Sequence, residues 1–304
     1  MDYFYKYIKY KNKFLLLKEK IGTFAEGTFA EGTFGGGGGD GKISDYDYLK
    51  DKIRKLEQLF QKEKISECHG ILHAKAVLIH AINAINSINT INAEEKKYIL
   101  YASLLHDADD RKFFPLNTNY ENVRSILEDE SQETVDKVIE LIDLVSSSKN
   151  GDTIPKKCKD KEWMLIPRYA DRLEAIGMIG LVRTFIFTLN KGKDLYLSTT
   201  PMPKTVNEIW KIASVKRYKS YSGASESMLD HFYDKLLRLG KFPITNKYLN
   251  NESKKRIKPL LDFLSYINNM SDNNLSVNNF KEEIKKYIKK KAPELYKEYN
   301  LVSI

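Results

Sequence analysis

Four residues on three stretches of chain have the types and surroundings to hold a divalent metal: His73, His106 with Asp107, and Asp171. His106 and Asp107 close the apolar string Tyr101-Ala102-Ser103-Leu104-Leu105 and are followed by Asp109 and Asp110. A buried helix end that suddenly presents an imidazole and three carboxylates must satisfy them, and a divalent cation does so. His73 sits in an Ala/Ile/Leu-rich stretch, where a neutral imidazole can bind metal through one nitrogen while the other is held by a hydrogen bond. Asp171 lies among Ala170, Leu173, Ala175 and Ile176, so its helix is expected to be largely buried and its carboxylate to need a partner. The competing reading of Asp171 is a salt bridge to Arg172 or another buried base.

The elements that must position these residues read as helix after helix from residue 44 onward. Leu49, Ile53, Leu56 and Leu59 recur at three- and four-residue steps over 46–63. Further helices are expected over 69–92, 94–106, 120–130, 132–147, 161–190, 206–215, 225–239 and 252–270. No alternating strand series is present, which leaves a parallel sheet without support. The run FKEEIKKYIKKK from Phe280 predicts a basic terminal helix that packs a stripe of Phe280, Ile284 and Ile288.

Residues 22–41 are a five-residue repeat running into five glycines and hold 9 of the 16 glycines, so they are expected to be a flexible linker. The organisation expected is a low-complexity, disordered N-terminal segment with this Gly-rich linker over 1–43, a catalytic domain over 44–270 and the basic helix over 271–304. The segment YKYIKYKNKFLLLK near the N-terminus resembles terminal segments of giant DNA virus proteins.

Composition excludes several classes. With 304 residues, 42% hydrophobic and 30% charged, the chain can bury a substantial core, and it has neither a membrane-length apolar run nor a signal-peptide pattern. Its two cysteines, Cys68 and Cys158, suit a reducing compartment and argue against a zinc finger. An intracellular, cytoplasmic protein is expected, in the host cytoplasm if the source is viral. The net charge of +9 comes from 41 Lys and 9 Arg against 41 acids in a chain also rich in Tyr, Asn and Ile. That pattern matches AT-rich codons and weakens the charge as a signal for nucleic acid.

The order His73, His106-Asp107, Asp171 resembles the H…HD…D signature of the HD-domain superfamily of metal-dependent phosphohydrolases. It is most similar to the branch with HxxxH, HD followed by acids, DADRLDAIG and HFxxKLLxL. The matching strings are His69-Gly70-Ile71-Leu72-His73, His106 to Lys112, Tyr169-Ala170-Asp171-Arg172-Leu173-Glu174-Ala175-Ile176-Gly177, and His231-Phe232-Tyr233-Asp234-Lys235-Leu236-Leu237-Arg238-Leu239. Two departures stand out. Tyr169 replaces the acid two positions before Asp171, and the residues after His73 are Ala74-Lys75-Ala76-Val77 where Arg-Val is usual.

The resemblance implies an all-α helical bundle of the HD type, with His73, His106, Asp107 and Asp171 as metal ligands. A mixed nitrogen and oxygen centre of this kind suits Mn, Fe, Co, Ni, Mg or Zn. The remaining positions would take water and a phosphoryl oxygen, which is the chemistry of phosphoester or phosphoanhydride hydrolysis. Asp110 is the expected acid that positions water or protonates the leaving group, with Lys112 beside it, and Asp109 is expected to be a solvated acid. Arg111, Lys112, Arg172 and Lys235 are the expected positive groups for the phosphate. His69 lies four residues before His73 and is expected as a second-shell or phosphate contact or a ligand of a second metal, against a plain structural role. His231 is expected at the pocket wall, while His80, about 10 Å along the helix from His73, is too far to share its ion.

The substrate class implied is a small phosphate ester, in particular a nucleotide cleaved at a phosphoanhydride or phosphomonoester. The alternatives are a cyclic or oligonucleotide phosphodiesterase, and a nonenzymatic nucleotide- or nucleic-acid-binding protein on the same fold.

Overall fold

The computed structural model describes residues 47–65, 69–146, 150, 153–270 and 277–302. The repeat, the linker, Cys68 and the viral-type terminal segment lie outside the described residues. The chain divides into two compact units, Met1–Leu72 and His73–Ile304. Among the described residues there is no strand, and the architecture is all-α.

The first unit contains α1, Tyr48–Lys62, whose buried Leu49, Leu56 and Phe60 recur at the helical period. Helix α2, Ile71–Ile85, begins at the end of that unit and carries His73 into the second. It stops seven residues short of the expected end. Ser87 Oγ and Asn246 Nδ2 both donate to the Ala84 carbonyl, at 2.7 and 3.0 Å, so side chains satisfy the helix terminus. Asn92 then caps the next helix, its side chain accepting from the Glu95 backbone N–H while Glu95 accepts from that of Asn92.

Helix α3, Ala93–Leu105, is buried at every position from Ile99 to Leu105. A helix apolar all round belongs at the centre of a bundle. It packs against α5, Gln132–Val145, and α6, Ile166–Glu174, and α5 and α6 pack against each other. The short α4, Glu121–Ile126, links α3 to α5 and is half the length expected from sequence.

The single helix expected over 161–190 is divided. A 3-10 turn, Glu162–Leu165, leads into α6, and α7, Gly177–Asn190, follows at a bend of 62°. Gly177 takes φ +81, which a side chain adopts only under strain. The carbonyls left over at the end of α6 are taken by guanidinium groups: Arg256 donates to Leu173 O at 2.7 Å and Arg183 to Glu174 O at 3.2 Å. These two segments together pass the composition test for a membrane span but are bent, and among the described residues no single helix is long and apolar enough to cross a membrane.

Helices α8, Val206–Ile212, and α9, Val215–Lys219, are separated at Ala213-Ser214, where Ser214 caps the second. The segment expected as one helix over 225–239 is α10, Met228–His231, a π-helical stretch Phe232–Leu236, and α11, Leu237–Leu239. Helix α12, Lys247–Met270, packs across α6 and α7, starting five residues earlier than expected. The basic helix α13, Val277–Lys291, packs on α12, with Tyr287 edge-on to Phe263, and α14, Pro293–Glu298, is the last helix among the described residues.

Candidate metal centre

Three helices deliver the site. His73 comes from α2, His106 is the C-cap of α3 with Asp107 directly after it, and Asp171 lies in α6. The two imidazole Nε2 atoms are 3.2 Å apart, with ring centroids at 5.1 Å and planes at 68°. Asp171 Oδ1 lies 3.3 Å from His73 Nε2 and 3.7 Å from His106 Nε2, and Asp107 Oδ2 lies 3.8 and 3.5 Å from the same two atoms. Asp171 faces the histidines, so the Arg172 alternative does not describe its position. The Arg172 guanidinium lies instead over the Tyr169 ring, 5.3 Å from its centroid.

The donor chemistry suits a cation. His106 Nδ1 donates to the Ser103 carbonyl at 3.0 Å, which leaves Nε2 as a lone pair aimed at His73 and the carboxylates. The two nitrogens lie 3.2 Å apart and each carboxylate oxygen lies 3.3 to 3.8 Å from both of them, which are edge lengths of a coordination shell with bonds of about 2.0 to 2.3 Å; the ligand atoms of His73, His106 and Asp171 form one compact group, and Asp107 adjoins it at the imidazoles. Burial pushes the His106 pKa down, but Asp107, Asp171 and the Ser103 carbonyl outweigh it and the net shift is upward. Burial likewise pushes Asp171 up, and the two imidazoles reverse it, holding the carboxyl below its usual range. The charge that Asp107 and Asp171 place beside His106 is negative, which a divalent ion would neutralise in place of a proton. The side chains of His73, His106 and Asp107 are 7%, 3% and 12% exposed and that of Asp171 is 31%, so the centre opens to solvent on the Asp171 side.

Burial lowers the Lys235 pKa, as do the charges of Lys112 and Arg172, while that of Asp171 acts against them. The π-helical stretch carries Lys235, and widened turns of this kind recur at functional sites. His231 stands just before that stretch, its Nδ1 3.2 Å from Ser225 Oγ and 3.5 Å from Tyr221 Oη. Burial and then Lys235 hold its pKa down at about 4, so it is neutral at pH 7. Asp110 acts electrostatically on His106, and its carboxylate accepts the Lys112 backbone N–H at 2.9 Å, with Lys112 Nζ at 3.7 Å. Arg111 is exposed beside it. His69 lies two residues ahead of α2, in the first unit.

Asp109 differs from its expected solvated state. It accepts the side-chain amide of Asn117 at 2.5 Å and the backbone N–H groups of Asn122 and Val123 at 3.1 and 2.9 Å. It anchors the loop that follows Asp107 to the start of α4. Tyr169, where the branch has an acid, is buried and packs on the Phe242 ring with centroids 4.6 Å apart.

Sequence reasoning missed one buried group. His80 Nε2 lies 3.0 Å from Glu174 Oε1, Arg256 Nη1 donates to the same oxygen at 2.9 Å, and Tyr248 Oη lies 2.7 Å from His80 Nδ1. Asn83 donates to Tyr248 Oη at 3.4 Å, and Arg256 Nη2 lies 3.0 Å from His80 Nε2, so the imidazole nitrogen sits between the carboxylate and the guanidinium. Burial opposes ionisation of Glu174, but His80 and Arg256 prevail and its pKa falls to about 2. The signal available in sequence was Glu174 itself, one helical turn after Asp171 in an apolar helix. Its partners 82 residues away and beyond leave no local trace.

Comparison with known proteins agrees with this architecture. No protein-family model matches the chain. It is 36% identical to the uncharacterised protein L803 of Acanthamoeba polyphaga mimivirus, over 70% of this chain and 95% of that protein, in line with the viral resemblance of the N-terminal segment. Among solved structures it is similar to an HD-superfamily hydrolase from Bacillus thuringiensis, with TM-score 0.51 and 22% identity over 76% of this chain and all of that one. A Lactobacillus plantarum protein gives TM-score 0.53 and 19% identity over 74% and 97%. The chain therefore belongs to the family of the mimivirus protein L803 and has the HD-domain fold, with the residues of the H…HD…D signature brought together at one point.

Proposed function

We propose that this protein is a metal-dependent phosphohydrolase that cleaves a nucleotide at a phosphoanhydride or phosphomonoester bond. The observation that carries this reading is the convergence of His73, His106 and Asp171, with Asp107 3.5 to 3.8 Å from both imidazoles, on the side where Asp171 is open to solvent; Lys235 feels the charge of Asp171. A divalent ion held by those four residues supplies Lewis-acid polarisation of a phosphoryl oxygen and water of lowered pKa.

The chain's own residues do the rest. Lys235, half-buried and close to Asp171, presents fixed positive charge where a phosphoryl group would approach, and such charge is most effective where water is excluded. Arg172 stiffens this wall, its guanidinium stacked on Tyr169. Asp110, fixed by the Lys112 backbone N–H, is the acid within reach of the centre that can move a proton to the leaving oxygen. Neutral His231 offers a hydrogen-bonding wall without competing for the anion.

The test is hydrolysis of a panel of ribo- and deoxynucleotides with Mn, Mg, Co or Ni, with the phosphorus products identified. Metal-dependent turnover that falls at least about 100-fold in Asp107→Ala is expected. No turnover of any nucleotide with any of these metals, in a protein that remains folded, overturns the reading.

A further inference from the structure

A second cluster of cations lies away from the metal centre. Helix α8, the turn after α11 and the middle of α12 enclose a groove of about 390 Å³, within the range of small-molecule sites. Trp210, Phe242 and Ile257 form its apolar floor, and Lys241, Lys254 and Lys258 stand along it. Gly240 permits the close approach of this floor, since a Cβ there would run into the Ile257 side chain. The Phe242 ring also packs on Tyr169, two residues before Asp171. Residues two apart on a helix point about 200° from one another, so the groove lies behind α6 from the metal centre.

The charges in this groove are poorly balanced. Lys241 Nζ lies 4.0 Å from the Trp210 ring centroid and the Arg238 guanidinium 5.7 Å from it. Among the described residues Lys241 and Lys254 make no ion pair, whereas Lys258 is paired with Asp262 at 2.8 Å. Burial and the neighbouring Arg238 and Lys254 push the Lys241 pKa down. Like charges crowded on an apolar floor are costly when alone and are relieved by an anion. An anion that drew Lys241 off the Trp210 ring would leave the indole to the body of the ligand, with buried Phe242 beneath.

We propose that this groove binds a free nucleoside polyphosphate, with the base on the Trp210 and Phe242 floor and the phosphates on Lys241 and Lys254. The apolar side of the groove favours a ligand with a flat aromatic body over an inorganic ion, and a groove of this volume suits one nucleotide.

The probe is ATP in the presence of chelator, titrated into full-length Trp163→Phe protein so that emission reports on Trp210, with equilibrium dialysis of unmodified protein as a second measure. A saturable change is expected, with affinity weakened about tenfold or more in the Lys241→Gln/Lys254→Gln double variant and unaltered in Asp171→Asn. Binding that survives the double variant but is lost in Asp171→Asn places the nucleotide at the metal centre and overturns the proposal. So does pyrophosphate binding as tightly as ATP, oligothymidylate binding more tightly than ATP, or no binding by dialysis. These outcomes are independent of nucleotide hydrolysis, so the proposal stands or falls apart from the catalytic reading.

Discussion

Replacing Glu174 by Gln removes a charge while keeping the side chain's size and its capacity to accept from Arg256. The wild-type carboxyl has a pKa of about 2 in the fold against 4.5 as its ordinary value, and its side chain is 17% exposed, so solvent screening is limited. That difference is worth about 3 kcal/mol at neutral pH. A carboxyl whose folded pKa is depressed contributes stability that is fully present above the unfolded value, near 4.5, and lost as pH falls toward the folded value near 2. Less than half remains by about pH 3. Urea unfolding of wild type and Glu174→Gln, followed by far-UV circular dichroism from pH 7 down to the lowest pH at which both fold, reports on this carboxyl together with the His80 it contacts. The expected gap is about 2 to 3 kcal/mol at pH 7, shrinking only below pH 4.5. A gap under about 0.5 kcal/mol at pH 7, or one that does not narrow with acidity, refutes the claim that His80 and Arg256 hold Glu174 ionised.

Asp109→Ala leaves the N–H groups of Asn122 and Val123 without their acceptor and is expected to cost about 1 to 3 kcal/mol in denaturant unfolding, with metal affinity by calorimetry changing less than in Asp107→Ala. Gly177→Ala forces a side chain into φ +81, with its Cβ 3.4 Å from Arg256 Cβ, and should lower stability by about 1 to 2 kcal/mol in the same assay. Lys235→Gln should leave the thermal midpoint within a few degrees and lower kcat/KM on the nucleotide that turns over by at least about 10-fold, since the charge facing Asp171 is lost while the π-helical stretch keeps its packing.

The all-α fold was legible because helical periodicity is local: the stripe of α1 and the capped, apolar α3 are written in consecutive residues. The residues that meet at the candidate metal centre stood out in the sequence for a related reason. Each is a polar group set in an apolar helix, and a buried polar group announces a partner before the partner is known. Where reading failed, the deciding interaction came from elsewhere in the chain. The end of α2 depends on Asn246, 162 residues from Ala84, and the bend between α6 and α7 is completed by Arg256 and Arg183. Asp109 looked like a surface acid because its partners at Asn117, Asn122 and Val123 follow an irregular loop with no period to count. The sequence by itself determined the helical elements and the kinds of group that would need a cation, since both follow from side-chain chemistry along one stretch. Only the tertiary structure decided that His73, His106, Asp107 and Asp171 face one another, that Glu174 is held by His80 and Arg256, and that three lysines gather by Trp210, because distances between segments are set by packing and not by spacing along the chain.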